Sequence, residues 1–315
     1  MEILCVCPAN CTTGGPECLH EFVSELNKQV GVHARIWYWD VTSYPPQPEE
    51  YRHYGCEYVT TLPEGYDGVL IVPEIWANNV MDYPQCKRAV YWLGLDAYAG
   101  WTPAPDRGKV LEDVEIVHIA QSAYAYTFLK LMGVRHLVMC TDYLNPDFYE
   151  EYEEEERSNT VLYNPAKATP FMHEIMAACP DIEWKPIQGM TREEVIHTMR
   201  HSKLYVDFGE FPGRERMPRE AVLCGCCIIT GKIGSAYYYK DFFHDYKFDS
   251  KPGHMWAIIR KIRYVLDHYE ECRKDFDLFR IMLRNDRKNI GKQCADVIME
   301  LEEIQHEVQH NHTGA

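Results

Sequence analysis

The charged residues between Leu204 and Gly231, in LYVDFGEFPGRERMPREAVLCGCCIITG, are the ones whose types and spacing most directly suggest chemistry. An apolar run from Leu204 to Phe208 predicts a buried strand. A loop with glycines and arginines follows, then a helix opening near Pro218, then a second apolar strand from Cys226 to Thr230. A strand that feeds a basic loop and a helix amino terminus suits an anion. The first-turn amides lack helical partners, the helix dipole favours negative charge, and Arg214, Arg216 and Arg219 add charge-assisted contacts. Glu220, expected in the same first turn, does not suit a phosphate. A carboxylate there can accept two hydroxyl hydrogen bonds, as from a ribose. Phosphate and ribose together suggest a nucleotide.

Other strand-to-helix turns offer further candidates. VLYNPAKATPF, from Val161 to Phe171, ends a strand at Asn164 and presents Lys167 just before a helix, where its ammonium can neutralise phosphate. Gln188 and Met190 lie in an apolar turn, closed by Thr191 as a helix cap, that suits a nucleobase. Gly234 and Ser235 follow the last core strand and can offer amides to a sugar or phosphate, or simply turn the chain. Gly14 and Gly15 follow the first strand, where paired glycines allow close approach to the backbone or a tight connection at positive φ. They do not form a G-x-G-x-x-G fingerprint. Asp96, just past an apolar strand, is the candidate general base, with Glu74 and the run Gln121 to Tyr124 in comparable positions. Glu210 is a further carboxylate in the basic loop.

The elements that position these residues alternate through nearly the whole chain. Strands are expected at Glu2–Cys7, Ala34–Trp39, Gly68–Val72, Ala89–Leu93, Glu115–Ile119 and His136–Met139, and again at Thr160–Tyr163, Ile182–Pro186, Leu204–Phe208 and Cys226–Thr230. Between them run amphipathic helices, one with Leu19, Phe22, Val23, Leu26 and Val30 on a face. Near the carboxyl end, Trp256, Ile259, Ile262, Val265, Leu266 and Tyr269 make one stripe, and Cys294, Val297, Ile298, Leu301, Ile304 and Val308 another. Such alternation predicts an α/β fold of two doubly wound parallel sheets, with ligands at the carboxyl ends of the strands and a cleft between the halves. The expected division is a domain over residues 1–147, an acidic linker over 148–159, a second domain over 160–285, and a terminal helix with a polar tail over 286–315.

Composition narrows the function classes. With 315 residues there is room for two domains of ordinary size. The formal charge of -16 argues against a general nucleic-acid binder, since non-specific affinity comes from neutralising phosphates. No apolar run approaches the length of a bilayer span, and the amino terminus reads as a strand rather than a leader. Thirteen cysteines scattered through strands and helices read as reduced, buried thiols of a cytoplasmic protein. Neither the clusters around Cys5 and Cys226 nor His306, His310 and His312 in the tail have the paired spacing of a metal site, and none is expected.

In YNPAK, PIQGMTREE, DFGEFPGRERMPREA and GCCIITGKIGSA, and in its overall alternation, the chain resembles the GT-B glycosyltransferases. Specifically it resembles the bacterial and viral type near the retaining family that includes sucrose synthase and many capsule and lipopolysaccharide enzymes. The resemblance implies two Rossmann-like domains, a UDP- or GDP-sugar as donor, no cofactor and no metal. By it, Gly14 and Gly15 match the glycine-rich first loop, Lys167 the lysine at the diphosphate, and Glu220 the glutamate that holds the ribose. A second glutamate usually stands eight positions earlier, where this chain has Pro212. Glu210 is nearby but out of register, and Arg214 and Arg216 are candidates to supply phosphate contacts instead. The implied reaction moves a sugar to an acceptor hydroxyl, on a glycan by preference. A viral enzyme acting on a hydroxymethylated DNA base, and a nucleotide-sugar-binding protein without transfer, are the alternatives.

Overall fold

The computed structural model describes residues 1–101, 108–153 and 156–313, with side chains in the terminal helix described as far as Ile304. The chain divides into two compact units. One comprises Met1–Tyr143, Pro212–Arg214 and Lys288–Ala315, the other Leu144–Phe211 and Glu215–Arg287.

The first unit holds strands β1 (Glu2–Pro8), β2 (His33–Trp39), β3 (Tyr58–Val59), β4 (Val69–Pro73), β5 (Lys87–Trp92), β6 (Ile116–Ala120) and β7 (His136–Met139). They form one parallel sheet in the order β3-β2-β1-β4-β5-β6-β7. Both faces are covered, and the side chains sort by the two-residue period of the pleat. Ile3, Cys5, Cys7, Ile71, Tyr91 and Ile119 face one core. Leu4, Val6, Val72, Val90 and Trp92 face the other. Helix α1 (Gly14–Leu26) packs on the first of these faces, together with Cys294, Val297 and Leu301. Helices α2 (Leu95–Trp101), α3 (Lys109–Glu112) and α4 (Ala123–Met132) complete the unit's crossovers. Because α1 ends at Leu26, Val30 lies beyond it and is fully exposed, contrary to the helical stripe expected from its spacing.

In the second unit, β8 (Ser158–Tyr163), α5 (Pro170–Ala177), β9 (Glu183–Pro186), α6 (Arg192–Arg200), β10 (Ser202–Asp207), α7 (Arg216–Leu223), β11 (Cys227–Gly231) and β12 (Lys247–Phe248) build a parallel sheet in the order β12-β11-β10-β8-β9. Helices α8 (Met255–Asp267), α9 (Tyr269–Cys272) and α10 (Asp277–Thr313) follow. Ile262, Val265 and Leu266 of α8 are buried as their spacing predicts, but Ile258 takes the core position expected for Ile259, which is half-buried, and Trp256 is 80% exposed and leaves the stripe. The two strands that periodicity missed, β3 and β12, have only two residues each, too few to show an alternation. Helix α10 continues to Thr313; Val308 and the three histidines of the tail lie among side chains outside the described residues.

The acidic segment expected as a linker is anchored by its own residues. Phe148 and Tyr149 are buried, and so is Arg157. The Arg157 guanidinium donates to Met199 O in the last turn of α6, to Ser202 O at the start of β10 and to Cys224 O at the end of α7, with Nη2 also donating to the Tyr152 hydroxyl. A cation at helix carboxyl ends satisfies orphan carbonyls and opposes the negative end of the dipole. Arg157→Met removes a charged donor from each of those three carbonyls, which keep weaker donors in Cys226 and Tyr152, so we expect a loss of about 1–3 kcal/mol, measured by urea unfolding of the whole chain.

Candidate functional site

Each sheet reverses its strand order once, and in doubly wound sheets ligands bind beside that reversal, at the carboxyl ends of the strands. In the second unit the reversal lies at β8, which pairs with β9 on one side and β10 on the other. Lys167 comes from the turn after β8, and Gly209 from the turn after β10. The two turns are pressed together: a Cβ on Gly209 would stand 2.8 Å from Lys167 O and 2.9 Å from Lys167 Cβ. Only glycine fits there. Asn164 folds its own turn by accepting from Ala166 N at 3.0 Å.

Several charges converge on Lys167. Its ammonium is ion-paired with Glu215, and both side chains remain partly exposed. Nζ also reaches Glu210 O at 3.5 Å, while the Glu210 side chain is in solvent. Beneath them, Asp207 is buried and accepts from Gly209 N at 2.8 Å and from the Tyr205 hydroxyl at 3.0 Å. Burial lifts the Asp207 carboxyl to about 6, although those two bonds and the nearby Lys167 charge pull the other way. Sequence reading missed both Asp207 and Glu215. The signal for Asp207 was a lone carboxylate closing an apolar strand. Glu215 stood in plain view among the arginines but had no evident partner.

Helix α7 begins at Arg216, two residues earlier than expected, so Glu220 sits in its second turn rather than among the free amides. Glu220 is partly exposed, and its Oε1 lies 4.0 Å from Arg216 Nε. Arg219 is fully buried, with Nε donating to Glu215 O at 3.0 Å, which takes it away from any solvent-borne anion. Ser235 is buried too; its amide donates to Phe211 O, and Gly234 turns the chain ahead of it at a φ of 51°. Gln188 is exposed and Met190 half-buried, in the turn after β9 where Thr191 and Glu194 form a complete capping box.

In the first unit the order reverses between β1 and β4. Glu74 follows β4 and is buried. Its Oε2 accepts from Leu93 N at 3.0 Å, and the Gly94 amide also bonds to the carboxylate. Burial is the dominant influence and raises its carboxyl to about 7, against which these backbone bonds act. Pro212, Gly213 and Arg214 belong to this same edge. Pro212 O accepts from Leu95 N at 2.8 Å, and a Cβ on Gly213 would collide with Leu93 O. Arg214 N donates to Gln121 Oε1, and the buried Arg214 side chain faces Asp142, with Nη1 donating to Asp142 O at 3.3 Å. Arg214 is therefore a buried, paired cation of the first unit. Asp96 is exposed in the first turn of α2 and accepts from the Tyr124 hydroxyl at 2.7 Å. Gly14 and Gly15 open α1 without positive φ, so the tight left-handed connection does not form there. Thr13 stands at the cap position of α1, but its side chain makes no capping bond.

No protein-family model matches the sequence, and no curated protein matches it either. Solved structures do match the fold. Sucrose-phosphate synthase from Thermosynechococcus elongatus superposes with a TM-score of 0.70 at 12% identity over 96% of this chain and 99% of that one. A glycosyltransferase from Rickettsia africae gives 0.64 at 13% identity, covering 96% and 98%. HepE from Anabaena, solved in complex with UDP-glucose, gives 0.61 at 12% identity, covering 98% and 100%. The fold is that of the GT-B glycosyltransferases. Both units of this GT-B chain are parallel-sheet α/β domains, as the alternation of elements predicted.

All thirteen cysteines are free, and twelve are buried. Among the described residues no group of three histidine, cysteine or carboxylate side chains is placed to hold a metal ion, and no helix is long and apolar enough to cross a membrane.

Two outcomes test this geometry. Gly209→Ala should destabilise the chain by about 1–3 kcal/mol, because the methyl group meets backbone rather than a flexible side-chain tip; chemical denaturation reads this directly. Glu74, raised from an ordinary carboxyl near 4.5 to about 7, contributes stability that is complete below the lower value and lost as pH rises through the upper. Glu74→Gln should thus shrink the fall in unfolding free energy between about pH 5 and pH 8, with Asp207 sustaining part of it.

Proposed function

We propose that this chain is a glycosyltransferase that moves a sugar from a UDP- or GDP-sugar to an acceptor hydroxyl, on a glycan by preference. The single observation that carries this reading is Lys167: an ammonium at the reversal point of the second unit's sheet, held by a partly exposed carboxylate that an incoming diphosphate can displace. In transfer, the bond between the anomeric carbon and the diphosphate oxygen breaks, and negative charge grows on the leaving phosphate. Lys167 and the first-turn amides of α7 stabilise that charge, with Arg216 beside them. Glu220, partly exposed one turn along, accepts from the ribose hydroxyls. Asn164, Gln188, Met190 and Glu210 border the donor, while Gly234 and Ser235 support the wall by fixing Phe211. Gly14, Gly15 and Asp96 are the first unit's own candidates for the reaction. In an inverting reaction Asp96 takes the acceptor proton; Glu74 fixes the Leu93–Gly94 amides near it in sequence. On this reading the cation opposite the diphosphate is a lysine, and transfer continues in EDTA.

Labelled UDP- and GDP-sugars offered to the full chain with glycan and hydroxymethylated-DNA acceptors test the proposal. Lys167→Ala should lower kcat/KM by about 10²–10³, and Glu220→Ala should weaken donor binding about tenfold. Transfer to DNA alone moves the acceptor class. Donor binding that survives with no transfer to either acceptor overturns the transferase reading and leaves a nucleotide-sugar-binding protein.

A further inference from the structure

A cavity whose lining does not include Lys167 lies along α8 of the second unit. It measures about 880 Å³, within the range of roughly 300–1,000 Å³ common for ligand sites. Its walls carry Trp256, Arg260, Lys261, Tyr264 and His268, with Phe248 at one side. Trp256 is 80% exposed on a helix whose opposite face is fully packed, so its indole stabilises nothing in the core. Trp256, Arg260 and Tyr264 follow at four-residue steps and share one face, the two rings about 12 Å apart along the axis.

The surroundings hold these groups ready. Tyr264 stacks on His268, with ring centroids 4.3 Å apart and planes within 13°, and its hydroxyl donates to Glu271. Lys261 Nζ sits 3.4 Å above the Tyr246 ring and 5.3 Å from that of Tyr264. Arg260 makes no hydrogen bond or ion pair with another described residue. Asp267 is the one carboxylate in the wall, so the groove is net cationic on a chain whose formal charge is -16. A ligand for it must offer apolar faces to two separated rings and an anionic group to a free guanidinium. Phosphate alone lacks the first property, and a neutral sugar lacks the second.

We propose that this groove binds an acidic oligosaccharide, its sugar rings resting on Trp256 and Tyr264 and its acidic groups on Arg260 and Lys261, as a holding site for a saccharide separate from the donor residues. The choice of a saccharide rests on the glycosyltransferase reading; the aromatic and cationic character does not. Rigid rings lose little conformational freedom on binding, and a guanidinium beside them adds charge-assisted contacts to an anion.

The test uses the full chain with oligogalacturonate, a neutral dextran oligosaccharide of equal length and a single-stranded oligonucleotide, followed by calorimetry. Oligogalacturonate should bind saturably and at least about tenfold more tightly than dextran. Trp256→Ala and Arg260→Ala, both at exposed positions and checked for unchanged melting, should each weaken it about tenfold while UDP binding stays as in the parent. Absence of saturable oligogalacturonate binding, or equal binding by both variants, overturns the proposal, and so does tighter binding of the oligonucleotide. Loss of UDP-sugar binding and transfer alongside intact oligogalacturonate binding would instead count against the glycosyltransferase reading alone.

Discussion

The carboxyl ends of β8 and β10 meet so closely that the backbone of Lys167 lies where a side chain on residue 209 would have to go. Much of the candidate site depends on this contact. It sets where the Lys167 ammonium emerges, it brings the buried Asp207 beneath that charge, and it starts the loop that leads to α7. Parallel sheets make such a crevice by necessity, since crossover helices leave in opposite directions on the two sides of the reversal. The first unit has a counterpart, where Gly213 lies against Leu93 O and Glu74 secures the neighbouring amides.

An acidic chain holds its basic groups beside oxygen partners. Cations in the stretch from Arg214 to Arg219, and Lys167 beside it, have nearby oxygen partners: Asp142 for Arg214, Glu215 for Lys167, Glu220 for Arg216, and Glu215 O for Arg219. Their degree of burial separates their roles. A buried pair such as Arg214 with Asp142 is costly to break, because either charge left alone keeps its desolvation penalty. The partly exposed pair of Lys167 with Glu215 is weakly held and open to exchange. Four basic residues that look alike in one dimension thus divide into structural and exchangeable charges.

The alternation of elements was readable because the central strands are buried on both faces and show as near-continuous apolar runs, while the helices between them show as stripes. Thr191 and Glu194 were readable as a helix start for a local reason: a capping box is made within four residues. Short edge strands escaped because two residues carry no period. Val30 and Trp256 were assigned to buried stripes on spacing alone, but one lies past the end of its helix and the other faces solvent. Arg157 was hidden for a different reason. It closes an acidic segment, and only folding brings the carbonyl ends of α6 and α7 around it.

By itself the sequence determined the class of fold, the order of its elements, and the position of Lys167 and Glu220 in turns and helices after buried strands. These follow from local periodicity and from turn chemistry, which act over a few residues. Tertiary structure decided which charges are available. Pairing between segments distant in the chain buries Arg214 against Asp142, joins Lys167 to Glu215, and lifts the carboxyls of Glu74 and Asp207 by removing them from water. Burial and ion pairing depend on distance in space, and no spacing along the chain encodes that distance.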